Sequence, residues 1–291
     1  MLLPLTLNYR RRPSAVAFMA RAFWPTALRR RGPFPPVAVH WRGHRVQPWH
    51  LESFQDLTGL GAPETLSLLY PQVLGYPLQM VALTHPALPL PIWKVLQIRA
   101  HIVQHHPLAP GESMDLACRV AGQRVLEKGM EVDLGLTVSV GGEARWESLN
   151  TYYYRGRFGT PGAPSPLAKA PETDGAVSAQ WLAARRTGWG YGRLSGDYNG
   201  IHWMDAYARR FGFRGAFYHP PVMVAQAAAR LPEFRTATAG KLDAWFKGPV
   251  YYGSTVRLHV SRAGAAHVFA LRAGDETRPS IVGKWQAGAV E

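Results

Sequence analysis

The segment Ser195-Gly196-Asp197-Tyr198-Asn199-Gly200-Ile201-His202 places a carboxylate and an imidazole five residues apart, in a stretch that contains two glycines. Such a loop can turn both side chains toward one point. The carboxylate can then orient the imidazole or take a proton from water, while the imidazole supplies or removes another. Asn199 adds a neutral side chain able to hold Asp197 or a water in place. The same spacing also suits a plain turn, held by Asp197 and Asn199 side-chain bonds with His202 packed beside it. His101, His105 and His106 offer nitrogen ligands, but they flank a strand–turn boundary where surface histidines are the better expectation. The single Cys118 excludes a disulfide framework and a cysteine-built metal site. The chain thus offers no clear metal-ligand set.

The elements that must hold this loop come from a pattern written twice. Pro107 to Leu116 leads into Cys118-Arg119-Val120, and Pro249 to Leu258 leads into Val260, each with glycine four residues after the proline. This is a turn opening an alternating strand, with Met114, Leu116 and Cys118 echoed by Val256, Leu258 and Val260. Val132–Val140, Ala144–Tyr154, Ala266–Leu271 and Ser280–Trp285 continue as strands joined by Gly141-Gly142 and Gly274-Asp275, which predicts an antiparallel meander in each half. Upstream, Pro77–Leu83 and Pro221–Leu231 are apolar on all sides, as a helix covered by a curved sheet must be. Phe54–Gly59 parallels Tyr191–Gly196, so the whole arrangement recurs at an offset of roughly 135 to 145 residues. The first copy continues after Gly59 as Leu60-Gly61-Ala62, with neither acid nor histidine. Its Leu68, Leu69, Leu74, Tyr76, Leu78, Met80 and Leu83 could line a tunnel, although apolar residues near a helix are more often ordinary core. The fold class is thus α+β, two tandem units each wrapping a sheet around one helix. The units span 45–155 and 177–291, with a proline-rich linker at 156–176 and an arginine-rich arm at 1–44.

The composition agrees with a folded chain that buries a substantial core. Hydrophobic residues make up 47% of the 291 and charged residues 18%, which excludes global disorder. No apolar run is long enough to span a membrane. Met1–Leu7 lacks a basic flank and is interrupted by Pro4, so it does not read as a secretory leader, and a reducing cytoplasm is expected. The net charge is +14, and nine arginines and no lysine precede Glu52, the first acidic residue. Arg10–Arg12 and Arg29–Arg31 flank a short helix predicted over Ala15–Trp24 and ended near Pro25. An arm packed on the body with solvated arginines is the plain reading. A polyanion or membrane-surface site would rest on this arm alone, and no nucleic-acid partner is expected.

The residues around the loop add a family resemblance. Tyr191-Gly192-Arg193-Leu194-Ser195-Gly196-Asp197-Tyr198-Asn199-Gly200-Ile201-His202 resembles the hydratase-2 motif of MaoC-like dehydratases and (R)-specific enoyl-CoA hydratases. Phe211–Gly215 with His219-Pro220-Pro221-Val222-Met223 is similar to the stretch leading into that family's central helix, and Phe246–Gly253 to its strand-opening segment. The three occur in order over residues 180 to 285, and the first half resembles the degenerate partner of double-hotdog members. The resemblance implies a double hotdog that reversibly hydrates a trans-2-enoyl thioester carried on coenzyme A or acyl carrier protein, in fatty acid metabolism. It implies Asp197 and His202 as the acid/base pair, Asn199 as support, and no metal or redox cofactor. Ser195, Gly196, Tyr218, His219, Pro220 and Val222 would surround the substrate. Gly200 stands where the family usually has proline. Pro220 stands where the family has a glycine whose N–H bonds the thioester oxygen, and losing one such donor costs about 3 kcal/mol. Either Tyr218 or a water replaces that donor, or the protein binds acyl thioesters without turning them over. The internal pseudo-dimer allows a monomer or a homodimer.

Overall fold

Strand order, more than strand content, displays the duplication. In the computed structural model, which describes residues 5–22, 36–61, 64–88, 91–92, 95–184 and 187–288, eleven strands form one sheet. The first unit contributes β2 (Val37–His44), β3 (Val95–Gln104), β4 (Met114–Leu126), β5 (Gly129–Val140) and β6 (Glu143–Arg155), in spatial order β2-β4-β5-β6-β3. The second contributes β7 (Ala176–Leu182), β8 (Gly240–Phe246), β9 (Thr255–Ala263), β10 (Ala266–Ala273) and β11 (Ile281–Ala287), which mirror it as β8-β11-β10-β9-β7. β3 and β8 pair antiparallel and fuse the two units into a double hotdog. β1 (Leu5–Tyr9) adds a parallel strand to the outer edge of β2.

Three expectations need correction. The segment 1–44 is more than an arm, because β2 is the first strand of the first unit and pairs with β4 through Ala38↔Arg119 and Trp41↔Leu116. His101 is not a surface residue. It is buried, and its Nδ1 meets Asp243 Oδ1 at 2.8 Å across the β3–β8 seam, while His105 and His106 pair on the surface with Glu147 and Glu143. The helix expected at Pro77 starts about two turns earlier, at Tyr70, since Pro71 occupies a helix-opening position where no N–H is needed. Arg29–Arg31, with Phe23, Trp24, Pro25 and Phe34, lies outside the described residues.

Among the described residues there are six α-helices: α1 (Ala15–Ala22), α2 (Pro48–Thr58), α3 (Tyr70–Leu83), α4 (Thr187–Ser195), α5 (Asp205–Arg210) and α6 (Pro220–Ala228). α3 buries 13 of its 14 residues and packs on β2, β4 and β5. Residues such as Val73, Leu78 and Leu83 contribute ~1.5–3 kcal/mol each by leaving water. α6 likewise buries Val222, Met223, Val224, Ala225, Ala227 and Ala228. Helices of opposite units touch, α2 against α4 and α6 and α3 against α4, so the space beside α4 belongs to both units. The linker crosses the sheet, where Leu167 O accepts from Trp245 Nε1 at 2.9 Å and Gly162 N donates to Val125 O. Cys118 is buried in β4, and burial pushes its thiol up to about 12, so it stays protonated and inert.

Candidate active site

The acid and the imidazole are placed by the end of α4 and the loop beyond it. Helix α4 stops at Ser195, whose hydroxyl donates to Tyr191 O at 2.8 Å and accepts from Asp197 N at 3.1 Å. Gly196 then takes φ +84°, the left-handed conformation that ends helices and favours glycine. Asp197 Oδ1 accepts from Asn199 N at 3.1 Å, and Asn199 Oδ1 accepts from Ile201 N at 3.3 Å, capping a 3₁₀ turn over Gly200–His202. The local turn and the acid/base arrangement are thus the same structure. The side-chain bonds that make the turn also aim Asp197 and His202.

A second histidine joins them. His202 Nδ1 donates to Phe217 O at 3.0 Å, which leaves Nε2 as the basic nitrogen. The His219 ring stacks on His202 with centroids 3.7 Å apart and 27° between planes. His219 Nε2 donates to Asp197 O at 3.3 Å and lies 3.6 Å from Asp197 Oδ2. Burial lowers the His202 pKa, against the opposing pull of the Asp197 charge and the Phe217 carbonyl. Burial and the neighbouring His202 push His219 well below the ordinary histidine value. Both rings are therefore neutral at pH 7. Donor atoms of Asp197, His202 and His219 lie within 4.8 Å of one another, so among the described residues these three are where a metal ion would be held. The rings run nearly parallel and the His219 Nε2–H is already spent on a carbonyl, which suits a hydrogen-bonded relay better than a chelate.

Asp197, Asn199, His202, His219 and Pro220 line one cavity of about 360 Å³. The first unit and the N-terminal helix contribute to its walls, with Phe18, Met19 and Ala22 of α1, Tyr76 and Met80 of α3, and Leu96 and Gln97 of β3. Of the seven tunnel candidates, only Tyr76 and Met80 reach this space, and Leu68, Leu69, Leu74, Leu78 and Leu83 are buried core. Ser195 and Gly196 shape the loop from behind, and Val222 is packed in the core. Tyr218 does not line the cavity. Its hydroxyl donates to Ala184 O at 2.6 Å, so it does not stand in for a donor at Pro220. Pro220 and Pro221 carry no N–H, and those of Val222 and Met223 turn back to His219 O. The start of α6 therefore presents no backbone donor to the cavity.

Two features of the site have no counterpart in the sequence reading. Tyr76, in the helix of the degenerate unit, sets its hydroxyl within hydrogen-bonding reach of the Asp197 carboxylate. Tyr152 and Tyr191, both buried, lie near the same carboxylate, and all three phenols are held neutral because burial and the Asp197 charge raise their pKa values. The second feature is a stripe of glycines one helical turn apart, Gly188, Gly192 and Gly196. A Cβ at Gly188 would sit 2.1 Å from His202 O, and one at Gly192 would sit 3.0 Å from Asp197 O. The bare face of α4 lets the backbone of Asp197 and His202 lie directly on the helix. Gly200 has a similar basis, since a Cβ there would meet the Tyr207 ring at 2.8 Å. A proline at this position would displace a cavity wall.

Residues 168–284 match the family described as the MaoC like domain. The chain is 26% identical over 231 residues to 3-hydroxyacyl-thioester dehydratase X of Mycobacterium tuberculosis, covering 78% of this chain and 81% of that protein. The crystal structure of HtdX from the same organism superposes with a TM-score of 0.74 at 22% identity, covering 86% of this chain and 100% of HtdX. A MaoC-like dehydratase from Phytophthora capsici gives 0.71 at 17% identity, covering 88% and 95%. These two structural matches share the fold described above.

Proposed function

We propose that this chain, whose C-terminal unit is a MaoC-like domain, reversibly hydrates a trans-2-enoyl thioester to the 3-hydroxyacyl thioester in fatty acid metabolism. The reverse reaction is dehydration, which makes the enzyme a hydro-lyase. One observation carries this reading. The Asp197 carboxylate and the basic nitrogen of His202 open into a single cavity whose far wall is apolar. The dehydratase name of the Mycobacterium tuberculosis relative supports the same chemistry.

A water held between Asp197 and His202 Nε2 is polarised from two sides. Its oxygen bonds to C3 as the C2–C3 double bond gives up its π pair. One water proton passes to the pair, and the pair delivers a proton to C2 on the same face, so the addition is syn and the site returns to its starting state. Burial lowers the His202 pKa, so the ring is neutral at pH 7 and its Nε2 lone pair is open to a proton. Charge that grows on the thioester oxygen needs a donor in place of the missing backbone N–H. The neutral phenol of Tyr191, which lines the cavity, is the group placed to supply it. Met19, Ala22, Met80, Ile92 and Val95 form the apolar wall against which an acyl tail lies. The carrier, coenzyme A or acyl carrier protein, remains outside, and one chain completes the site without a second copy. A cytoplasmic setting is part of this reading, supported by the single buried thiol.

The proline pair at the start of α6 favours one second reading, a protein that binds acyl thioesters without turnover. Purified protein mixed with crotonyl-CoA and longer enoyl-CoA substrates separates the two. Loss of the conjugated thioester absorbance at catalytic enzyme concentration is the expected result. Saturable binding with no turnover at any chain length would establish the binder instead.

A further inference from the structure

Of the two N-terminal arginine triplets, the one at Arg10–Arg12 is described, and its members differ. Arg10 and Arg11 are exposed, whereas Arg12 turns inward. Its Nη1 donates to Arg193 O at 3.3 Å and its Nη2 to Leu194 O. These are carbonyls of the last turn of α4, which no further helical N–H can satisfy. Leu194 O also accepts from His50 Nε2 at 2.9 Å, while His50 Nδ1 accepts from the Tyr70 hydroxyl at 2.8 Å. Immediately beyond these carbonyls come Ser195, Gly196 and Asp197. A Cβ placed on Gly196 would lie 3.1 Å from Phe18, 3.5 Å from Ala15 and 3.7 Å from Arg12 Nη2. The N-terminal segment is thus seated on the hinge between α4 and the loop that carries the acid.

We propose that Arg12 is a positioning residue for the hydration reaction, a guanidinium clamp that, with His50, fixes the end of α4 and through it the aim of Asp197. The clamp spans three parts of the chain: a residue just after β1, a histidine on a helix of the degenerate unit, and the last turn before the catalytic loop. A cation is suited to the role because the end of a helix carries partial negative charge, and the guanidinium's planar fork can reach two carbonyls at once. Lysine, a point charge, would hold one. An arginine that the sequence offers as a polyanion contact is instead occupied within the fold. This inference rests on the proposed hydratase activity for its kinetic consequence, but the clamp itself has a separate physical signature.

The test combines Arg12→Ala, Arg12→Lys, His50→Leu and the Arg12→Lys/His50→Leu double variant, each followed by kcat and KM on an enoyl-CoA and by amide hydrogen exchange of a peptide spanning residues 195–202. A loop that has lost its anchor misplaces its acid by a fraction of an ångström. We expect kcat to fall about tenfold or more in Arg12→Ala with KM within about twofold of wild type. Arg12→Lys should recover part of the loss, and millimolar guanidinium ion should restore part of the kcat of Arg12→Ala. Because Arg12 and His50 act on the same carbonyl, the double variant should be non-additive in kcat. Exchange in the 195–202 peptide should rise in each variant. If Arg12→Ala does not fold, Arg12→Lys, His50→Leu and their double variant still carry the comparison. Unchanged exchange in that peptide overturns the clamp whether or not the protein is a hydratase. Exchange that rises while kcat stays at the wild-type value, in an enzyme that does hydrate enoyl-CoA, makes Arg12 a structural residue only and also overturns the proposal. Failure of the wild type to turn over any enoyl thioester refutes the proposed function alone, and the exchange measurement then decides the clamp.

Discussion

Adding one methyl group at Gly188 should damage catalysis far more than stability. The Cβ of Gly188→Ala would stand 2.1 Å from His202 O and 2.9 Å from the carbonyl carbon, in a range that real Cβ atoms essentially never enter below 3.0 Å. The contact is with backbone, so no rotamer relieves it. The turn carrying His202 must retreat by at least about 0.9 Å to restore a permitted contact. That retreat also strains the Tyr252 hydroxyl bond to His202 O, now 2.7 Å. A displacement of this size at a reacting group costs on the order of a hundredfold in rate, or about 2.7 kcal/mol of transition-state stabilisation. Stability responds less, because overpacking costs about 1–3 kcal/mol while alanine in a helix returns up to about 1 kcal/mol. Gly190→Ala in the same helix is the control, since its Cβ meets nothing within 4 Å. The assay pairs kcat on an enoyl-CoA with thermal unfolding. Gly188→Ala should lose about a hundredfold in kcat, and Gly190→Ala should keep wild-type kcat with an equal or higher Tm. A Gly188→Ala enzyme with wild-type kcat would refute the claim that the bare face of α4 sets the position of His202.

Tyr76→Phe and Tyr191→Phe each remove a phenolic donor from the cavity, and kcat should fall about ten- to a hundredfold with little change in Tm, as steady-state kinetics and calorimetry will show. Met80→Trp narrows the apolar wall, so kcat/KM should drop for long enoyl-CoA substrates and hold for crotonyl-CoA, read from a chain-length series. Stability should decline as pH falls from about 6.5 to about 4. Burial lowers His50 and His44 to about 4 in the folded protein, so the unfolded chain binds more protons in that window and gains in relative stability. For His50 alone the loss approaches about 3 kcal/mol at the acid end, measurable as a falling denaturant midpoint.

The order of legibility tracks the range of the interactions. The loop from Ser195 to His202 is readable because its geometry is made by side chains that reach two residues along the chain, in the bonds from Asp197 N to Ser195, Asn199 N to Asp197 and Ile201 N to Asn199. The repeated turn at Gly111 and Gly253 marks the duplication for the same reason. Strands β3 and β8 give no clear alternation because they lie at the seam, buried over most of their length. The reach of Tyr76 to Asp197 joins positions in different units, and no local pattern in either unit announces it. The glycine stripe of α4 is present in the sequence but reads there as a helix weakness, because glycine lowers helix propensity. Its purpose is visible only when the backbone of His202 lies against it. Pro220 as a missing donor is legible from residue type alone. Tyr218 as its replacement fails, because a tyrosine next to the site in sequence turns its hydroxyl to Ala184 in space.

The most direct measurement is single-turnover hydration of an enoyl-CoA by Asp197→Asn and His202→Ala, with the dissociation constant of a saturated acyl-CoA determined for each. Both changes remove proton transfer while leaving the apolar wall intact. Rates at least about a thousandfold below wild type are expected, with acyl-CoA affinity held within a few-fold. Hydration persisting near the wild-type rate in either variant would contradict the assignment of this acid/base pair, and the chemistry would have to be sought in other residues of the cavity.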